Sequence, residues 1–303
     1  RVWSFFNRVA DGMNKYVDYA MGHNLTNRMP LWIAPREKVS PKAVFDMMRD
    51  HYEGTPMDMT RDVGAGGHNL PYRWRPMEWE ADGDGDGTPE TYVNERAIAT
   101  QQTGFWFVGQ SRNHVSPCVS GILWFGTDDA ATSPLTPIYT SSTEVPWCLS
   151  TGNGSMMEYS DSSMFWLTTR VSNFAYLRYD MIAGEVRRVI DEWENARLAE
   201  MDAIDAAAKK IHDEQGHAAA LAFMTRFSVD TADSLFDKWN KLDKYLLVKY
   251  MDGNVKKQNT DGSFLDNGNS MNIPEMPDFP GYDQRWKNNV AAQDDDTLRV
   301  PEN

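Results

Sequence analysis

"NERAIATQQTGFWFVGQSR", residues 94–112, and "SGILWFGTDD", residues 120–129, decide the fold of this 303-residue chain. Each contains a nearly continuous apolar run ended by glycine. Such runs predict strands buried on both faces of a layered structure; a one-sided sheet would alternate apolar and polar residues. Upstream, "YRWRPMEWEA" (72–81) and "ETYVNERAIAT" (90–100) flank an acidic turn and predict a hairpin. Downstream, the prolines of "SPLTPIYTSSTEVP" (133–146) place a further strand at a sheet edge or bulge.

From Ser160 the period changes from two to 3.6. Met164, Leu167, Val171, Phe174, Leu177 and Met181 step by three and four, and after Gly184 the stripe resumes at Val186, Val189, Ile190 and Trp193 and runs to Ile211. These predict long helices opened by a Ser160–Asp161–Ser162 cap, followed by a last helix from Asp230 or Thr231 to Gly253. A shorter helix is expected after Ser40, with Pro41 in its first turn and Val44, Phe45 and Met48 on one face. The Asn-, Asp-, Gly- and Pro-rich residues 255–303 read as an extended or partly disordered tail.

Composition excludes several functions. A net charge of −14 opposes nucleic-acid binding, and no apolar run is long enough to span a bilayer. None of the six histidines has HExxH-type spacing, and no GxSxG is present. Cys118 and Cys148 read as buried small hydrophobes. Trp106, Trp124, Trp166, Trp193 and Trp239 fall in core patterns, whereas Trp3, Trp32 and Trp147 are free to line a pocket, which keeps a glycan-binding reading open. The glycine-rich "RDVGAGGHNLPYRW" (61–74) lacks the Lys-Ser/Thr of a phosphate loop. Asp82, Asp84 and Asp86 alternate with glycines, as in a loop built for a structural calcium, but position twelve is Val93 where an EF-hand needs Glu. A solvated acidic turn accounts for them equally well. Polar Arg96, Gln101, Gln102, Thr103, Gln110 and Arg112 lie among apolar neighbours, so they form either a structural network or a site.

Four ordered blocks carry a resemblance: "RDHYEGTPMDMT" (49–60), "NERAIATQQTGFWFVGQSR", "GILWFGTDDAATSPLTPIY" (121–139) and "FWLTTRVSNFAYLRYDMI" (165–182). From about Pro30 to Ile211 the chain resembles the PepD-type dipeptidases, family sixty-nine of the cysteine peptidases, within the N-terminal-nucleophile hydrolases. The resemblance implies an α+β fold, a four-layer αββα sandwich with long C-terminal helices. It also implies cleavage of dipeptides by a cysteine at the mature N-terminus, with the chain's own α-amine handling the proton. Residue 1 here is Arg and both cysteines are internal, so the nucleophile is expected upstream of Arg1 or on a separate chain. On this view residues 1–254 are the C-terminal portion of a single αββα domain, helical from about 160. No cofactor is required for catalysis.

A dipeptide offers a carboxylate and an amine. Arg96, the first choice, or Arg112 suits the carboxylate or the oxyanion; Asp128, Asp129 or Glu144 suits the amine; Asn94, Gln101 and Thr103 neighbour Arg96 as substrate-binding candidates. The competing reading is a catalytically silent, peptide-binding or structural partner protein. Wide apolar stripes after Ser160 lead us to expect a homo-oligomer. The acidic surface leans towards an exported protein, periplasmic or secreted, the alternative being the cytoplasm.

Overall fold

A computed structural model describes residues 1–71, 78–93, 96–269, 271–293 and 299–301. The chain folds as α+β. In order come helices α1 (Val2–Val9), α2 (Val17–Ala20) and α3 (Pro41–Met48), strands β1 (Glu78–Ala81), β2 (Glu90–Val93), β3 (Phe105–Ser111), β4 (Gly121–Thr127) and β5 (Thr136–Tyr139), and helices α4 (Met164–Leu177), α5 (Tyr179–Gln215), α6 (His217–Lys249) and α7 (Gln284–Gln293). β1 and β2 form the expected antiparallel hairpin, and β3–β4–β5 form an antiparallel sheet with β5 at its edge. Pro137 sits in that edge strand opposite Trp124, where its missing N–H can face away from the ladder.

The pleat sorts the central sheet into two unlike faces. Trp106, Ile122, Trp124 and Tyr139 point inward and pack with Phe45 of α3, Met201 and Ala208 of α5, and Ala220 and Met224 of α6. Phe105, Phe107, Leu123, Phe125 and Ile138 belong to the opposite face, where Phe105 and Phe107 are 61% and 53% exposed. The expectation of burial on both faces is therefore met on one. Nothing in the described chain covers the phenylalanines of β3, so the continuous apolar run reports a demand for cover that these residues do not satisfy.

Behind the sheet, α4, α5 and α6 share a second core around Val171, Val186, Ile190, Leu235, Trp239 and Leu246. Two sequence readings shift here. The Ser160–Asp161–Ser162 cap is absent: the Ser160 and Ser162 hydroxyls donate instead to Asn153 Oδ1 at 2.6 and 2.8 Å, and α4 starts after Ser163. The last long helix begins at His217, well before Asp230. Gly216, at φ 87°, makes the break from α5, and the polar Ser228 and Thr231 are buried facing the core within α6. Of the tryptophans, Trp3 is core, its indole N–H donating to the Met13 carbonyl at 2.9 Å, while Trp32 and Trp147 are exposed.

The tail is anchored. Val255 pairs with Asp278, and the Arg285 guanidinium donates to the carbonyls of Arg61 and Gly66 at 2.8 and 3.1 Å. Tyr282 stacks on His68 with ring centroids 4.7 Å apart. A Cβ on Gly67 would meet the Tyr282 ring at 2.4 Å, so the glycine-rich loop serves as the seat of the C-terminal helix.

Candidate active site

The end of the sheet at which β3 begins and β4 finishes brings the acidic residues of "GTDDAATS" against α4. Thr127 Oγ1 lies 2.9 Å from Thr168 Oγ1, and the Tyr176 hydroxyl donates to Asp129 Oδ2 at 2.7 Å. Between these two contacts stands Asp128. Its backbone is left-handed, at φ 67°, and its N–H donates to the Gly104 carbonyl at 2.9 Å. A non-glycine residue in that region is uncommon and is retained where its surroundings over-determine it.

The two neighbouring acids differ. Asp129 is fully buried and satisfied: Oδ1 accepts the Ala131 N–H at 3.1 Å, Oδ2 accepts Tyr176, and its carbonyl accepts the Ser133 hydroxyl at 2.8 Å. Asp128 is 5% exposed, yet its Oδ2 has no hydrogen-bond partner. Burial, reinforced by the charge of Asp129, pushes its carboxyl up to about 7. The Ser172 and Thr169 hydroxyls act in the opposite direction, as donors directed at the carboxyl, although neither contact has good hydrogen-bond geometry.

The turn after β4 is held rigidly. Arg49, beyond the end of α3, pairs with Glu194 of α5 at 2.5 and 3.1 Å, donates to the carbonyls of Ala130 and Ser133, and lies over the Trp106 ring. Buried ion pairs persist when their remaining hydrogen bonds are satisfied, as these are. The first family-like block, 49–60, thus contributes a brace to the third. Beside the turn, on the outer face of the sheet, a cavity of about 340 Å³ is lined by Gly104, Phe105, Phe125, Thr127, Asn153 and Ser163, among others.

The other site candidates are dispersed. Arg96 is exposed and lies in an irregular segment before β3, where the sequence reading had put a buried strand position; it lines a different cavity, of about 610 Å³, with Arg1 and Tyr52. Gln101 donates to Asn173 of α4 at 3.1 Å, and Thr103 lies 3.3 Å from the Thr100 hydroxyl. Asn94 falls outside the described residues. Arg112 is at the far end of the sheet, buried against Asp205 and the Val119 carbonyl, with Tyr139 donating to the same carboxylate at 2.5 Å. Both Nη atoms are engaged by the protein, while Nε is buried without a partner. Glu144 is exposed, on a third cavity of about 390 Å³ lined by Leu123, Phe125 and Ile138.

Asp82, Asp84 and Asp86 present carboxylate oxygens within 4.8 Å of one another, all exposed. They also close their own turn, accepting from the Gly87, Asp86 and Thr88 N–H groups at 2.9, 3.2 and 2.7 Å. Both cysteines are free, and burial pushes Cys148 up to about 12, far from a reactive thiolate. The polar face of α4 was missed in the sequence. Thr168, Ser172 and Tyr176 recur every four residues, a buried polar stripe inside an apolar helix.

The model of Peptidase family C69 matches residues 1–192. The chain belongs to that peptidase family. The match includes the first 29 residues, which lie before the stretch that carries the resemblance, and ends inside α5, so α6 and the tail lie beyond it. No curated protein matches the chain. Among the described residues, no helix is long and apolar enough to cross a membrane.

Proposed function

We propose that this C69 peptidase is a cysteine dipeptidase whose nucleophile is a cysteine at the mature N-terminus, upstream of Arg1. The observation carrying the reading is the cavity at the sheet end beside an unpaired buried acid, in a chain whose own cysteines are unsuited to the chemistry. Cys118 and Cys148 are internal and have no free α-amine to serve as the base. The exposed outer face of β3–β5 supports the remainder of the proposal. A second sheet laid on Phe105, Phe107 and Phe125 would complete the αββα sandwich and enclose the cavity between the two layers.

Binding then divides by charge. The dipeptide carboxylate, or the developing oxyanion, goes to Arg96, whose guanidinium is exposed where that of Arg112 is already engaged. Gln101 and Thr103, between Arg96 and β3 in the chain, are the proposed neighbouring contacts. The amine goes to a carboxylate among Asp128, Asp129 and Glu144. A homo-oligomer belongs to the same proposal, since Leu247 and Val248 of α6 remain about half exposed.

The test is hydrolysis of a panel of unblocked dipeptides by the native full-length protein, followed by amino-acid release. Turnover supports the assignment. Binding without turnover would replace it with a silent peptide-binding member, and neither would remove both readings.

A further inference from the structure

Arg8, Arg49, Arg112 and Arg187 each pair with a carboxylate. Arg1 and Arg96 do not. Among the described residues no carboxylate lies within ion-pair distance of either guanidinium, in a chain whose net charge is −14. Both line the cavity of about 610 Å³, and none of the described residues that line it with them is acidic.

The two arginines are held together through the backbone. Arg1 Nε donates to the carbonyls of Arg96 and Ala97 at 3.3 and 3.0 Å, and the Tyr52 hydroxyl donates to the same Arg96 carbonyl. These bonds use Nε and leave the Nη groups of Arg1 for a ligand. Tyr52 stands at φ 66°, uncommon for so bulky a residue, and its N–H donates to Asp50 Oδ1 at 3.0 Å. Backbone strain of this kind collects at binding sites. Asp50 does not compete for the arginines, because the Ser4 hydroxyl and Arg8 already donate to its carboxylate.

The other walls are largely apolar, with Val2, Leu25, Met29 and Met57 among them. Leu25 is 66% exposed. Two permanently charged donors beside an apolar wall suit a carboxylate carried on an apolar group, which would cover that wall as a bare inorganic anion would not.

We infer that this cavity binds a carboxylate attached to an apolar side chain, as at the C-terminal residue of a short peptide. The inference deepens the dipeptidase reading and rests on it for the ligand being the substrate, but the binding itself does not require turnover. On that reading Arg1 joins Arg96 at the substrate carboxylate, and the preferred dipeptide has an apolar second residue.

The probe is N-acetyl-leucine, which carries the carboxylate and the side chain and lacks a dipeptide's amine. Calorimetry on the native full-length protein should show it binding on the order of tenfold tighter than its carboxamide, and by a similar factor tighter than N-acetylglycine. Arg96→Gln keeps the backbone carbonyl used by Arg1 and Tyr52, and should bring acid and amide to within about twofold. Leu25→Asp changes a side chain that the fold leaves exposed; it should weaken the acid by like-charge repulsion without lowering the melting temperature. With alanyl-leucine as substrate, Arg96→Gln should raise KM and nearly preserve kcat. Equal binding of acid and amide, discrimination that survives Arg96→Gln, or inorganic phosphate binding as tightly as N-acetyl-leucine overturns the site. Carboxylate-dependent binding without any dipeptide turnover would instead sink the peptidase reading and leave the site standing.

Discussion

Replacing Asp128 with asparagine should stabilise the protein at neutral and alkaline pH and flatten its stability between about pH 4 and 7. Burial, with the charge of Asp129 behind it, raises the Asp128 carboxyl from the ordinary 3.8 to about 7. In that window the folded state keeps a proton that the unfolded state has released. Stability therefore falls as pH rises, the reverse of a salt-bridged carboxylate, and the loss is complete above about 7. One proton contributes about 1.4 kcal/mol per pH unit, so the window integrates to about 4 kcal/mol, less whatever relaxation recovers. Asparagine has no such titration and occupies nearly the same volume. Urea unfolding of both proteins at about pH 4.5, 6, 7.5 and 9 measures the difference. The variant should gain on the wild type by several kcal/mol across the series. Parallel curves would refute the argument, as would a variant less stable than wild type above pH 7.5.

Other predictions rest on different parts of the molecule. Arg112→Ala strands the buried Asp205 carboxylate and should cost about 3–5 kcal/mol in urea unfolding; a loss below about 1 kcal/mol would show that the pair is not structural. Gly67→Ala places a methyl 2.4 Å from the Tyr282 ring and should detach the C-terminal helix, read as faster limited proteolysis beyond residue 278, whereas wild-type protection would mean that the loop is not its seat. If Asp82, Asp84 and Asp86 hold calcium, a chelator should lower the melting temperature, because an ion bound only to the folded state stabilises that state; identical curves with and without chelator reject the site.

Much of the fold was legible because it rests on periodicity. The apolar runs at 105–111 and 121–127, the proline-marked edge strand and the Ser40 cap, whose hydroxyl accepts the Ala43 N–H at 3.1 Å, all follow from local pattern. Local pattern failed where tertiary partners outcompeted it. Asn153 drew Ser160 and Ser162 away from capping α4, and Thr231, which reads as a helix start, instead faces the core inside α6. The site was less legible for a related reason. Charge and position in the strand block kept both Arg96 and Arg112 as candidates, and only contact with Asp205, 93 residues along the chain, distinguishes the engaged guanidinium from the exposed one. The hydroxyls of α4 were hidden inside an apolar stripe. Their every-fourth-residue spacing was visible, but its meaning depended on a turn some forty residues earlier in the chain.

The central claim, a peptidase whose nucleophile precedes Arg1, is tested most directly by labelling the native protein with iodoacetamide and mapping the label by mass spectrometry while following dipeptide hydrolysis. The account predicts that the mature polypeptide begins with cysteine, and that activity disappears in step with alkylation of that one residue while buried Cys148 stays unlabelled. A mature N-terminus other than cysteine on every associated chain, or activity that persists after its full alkylation, would contradict it.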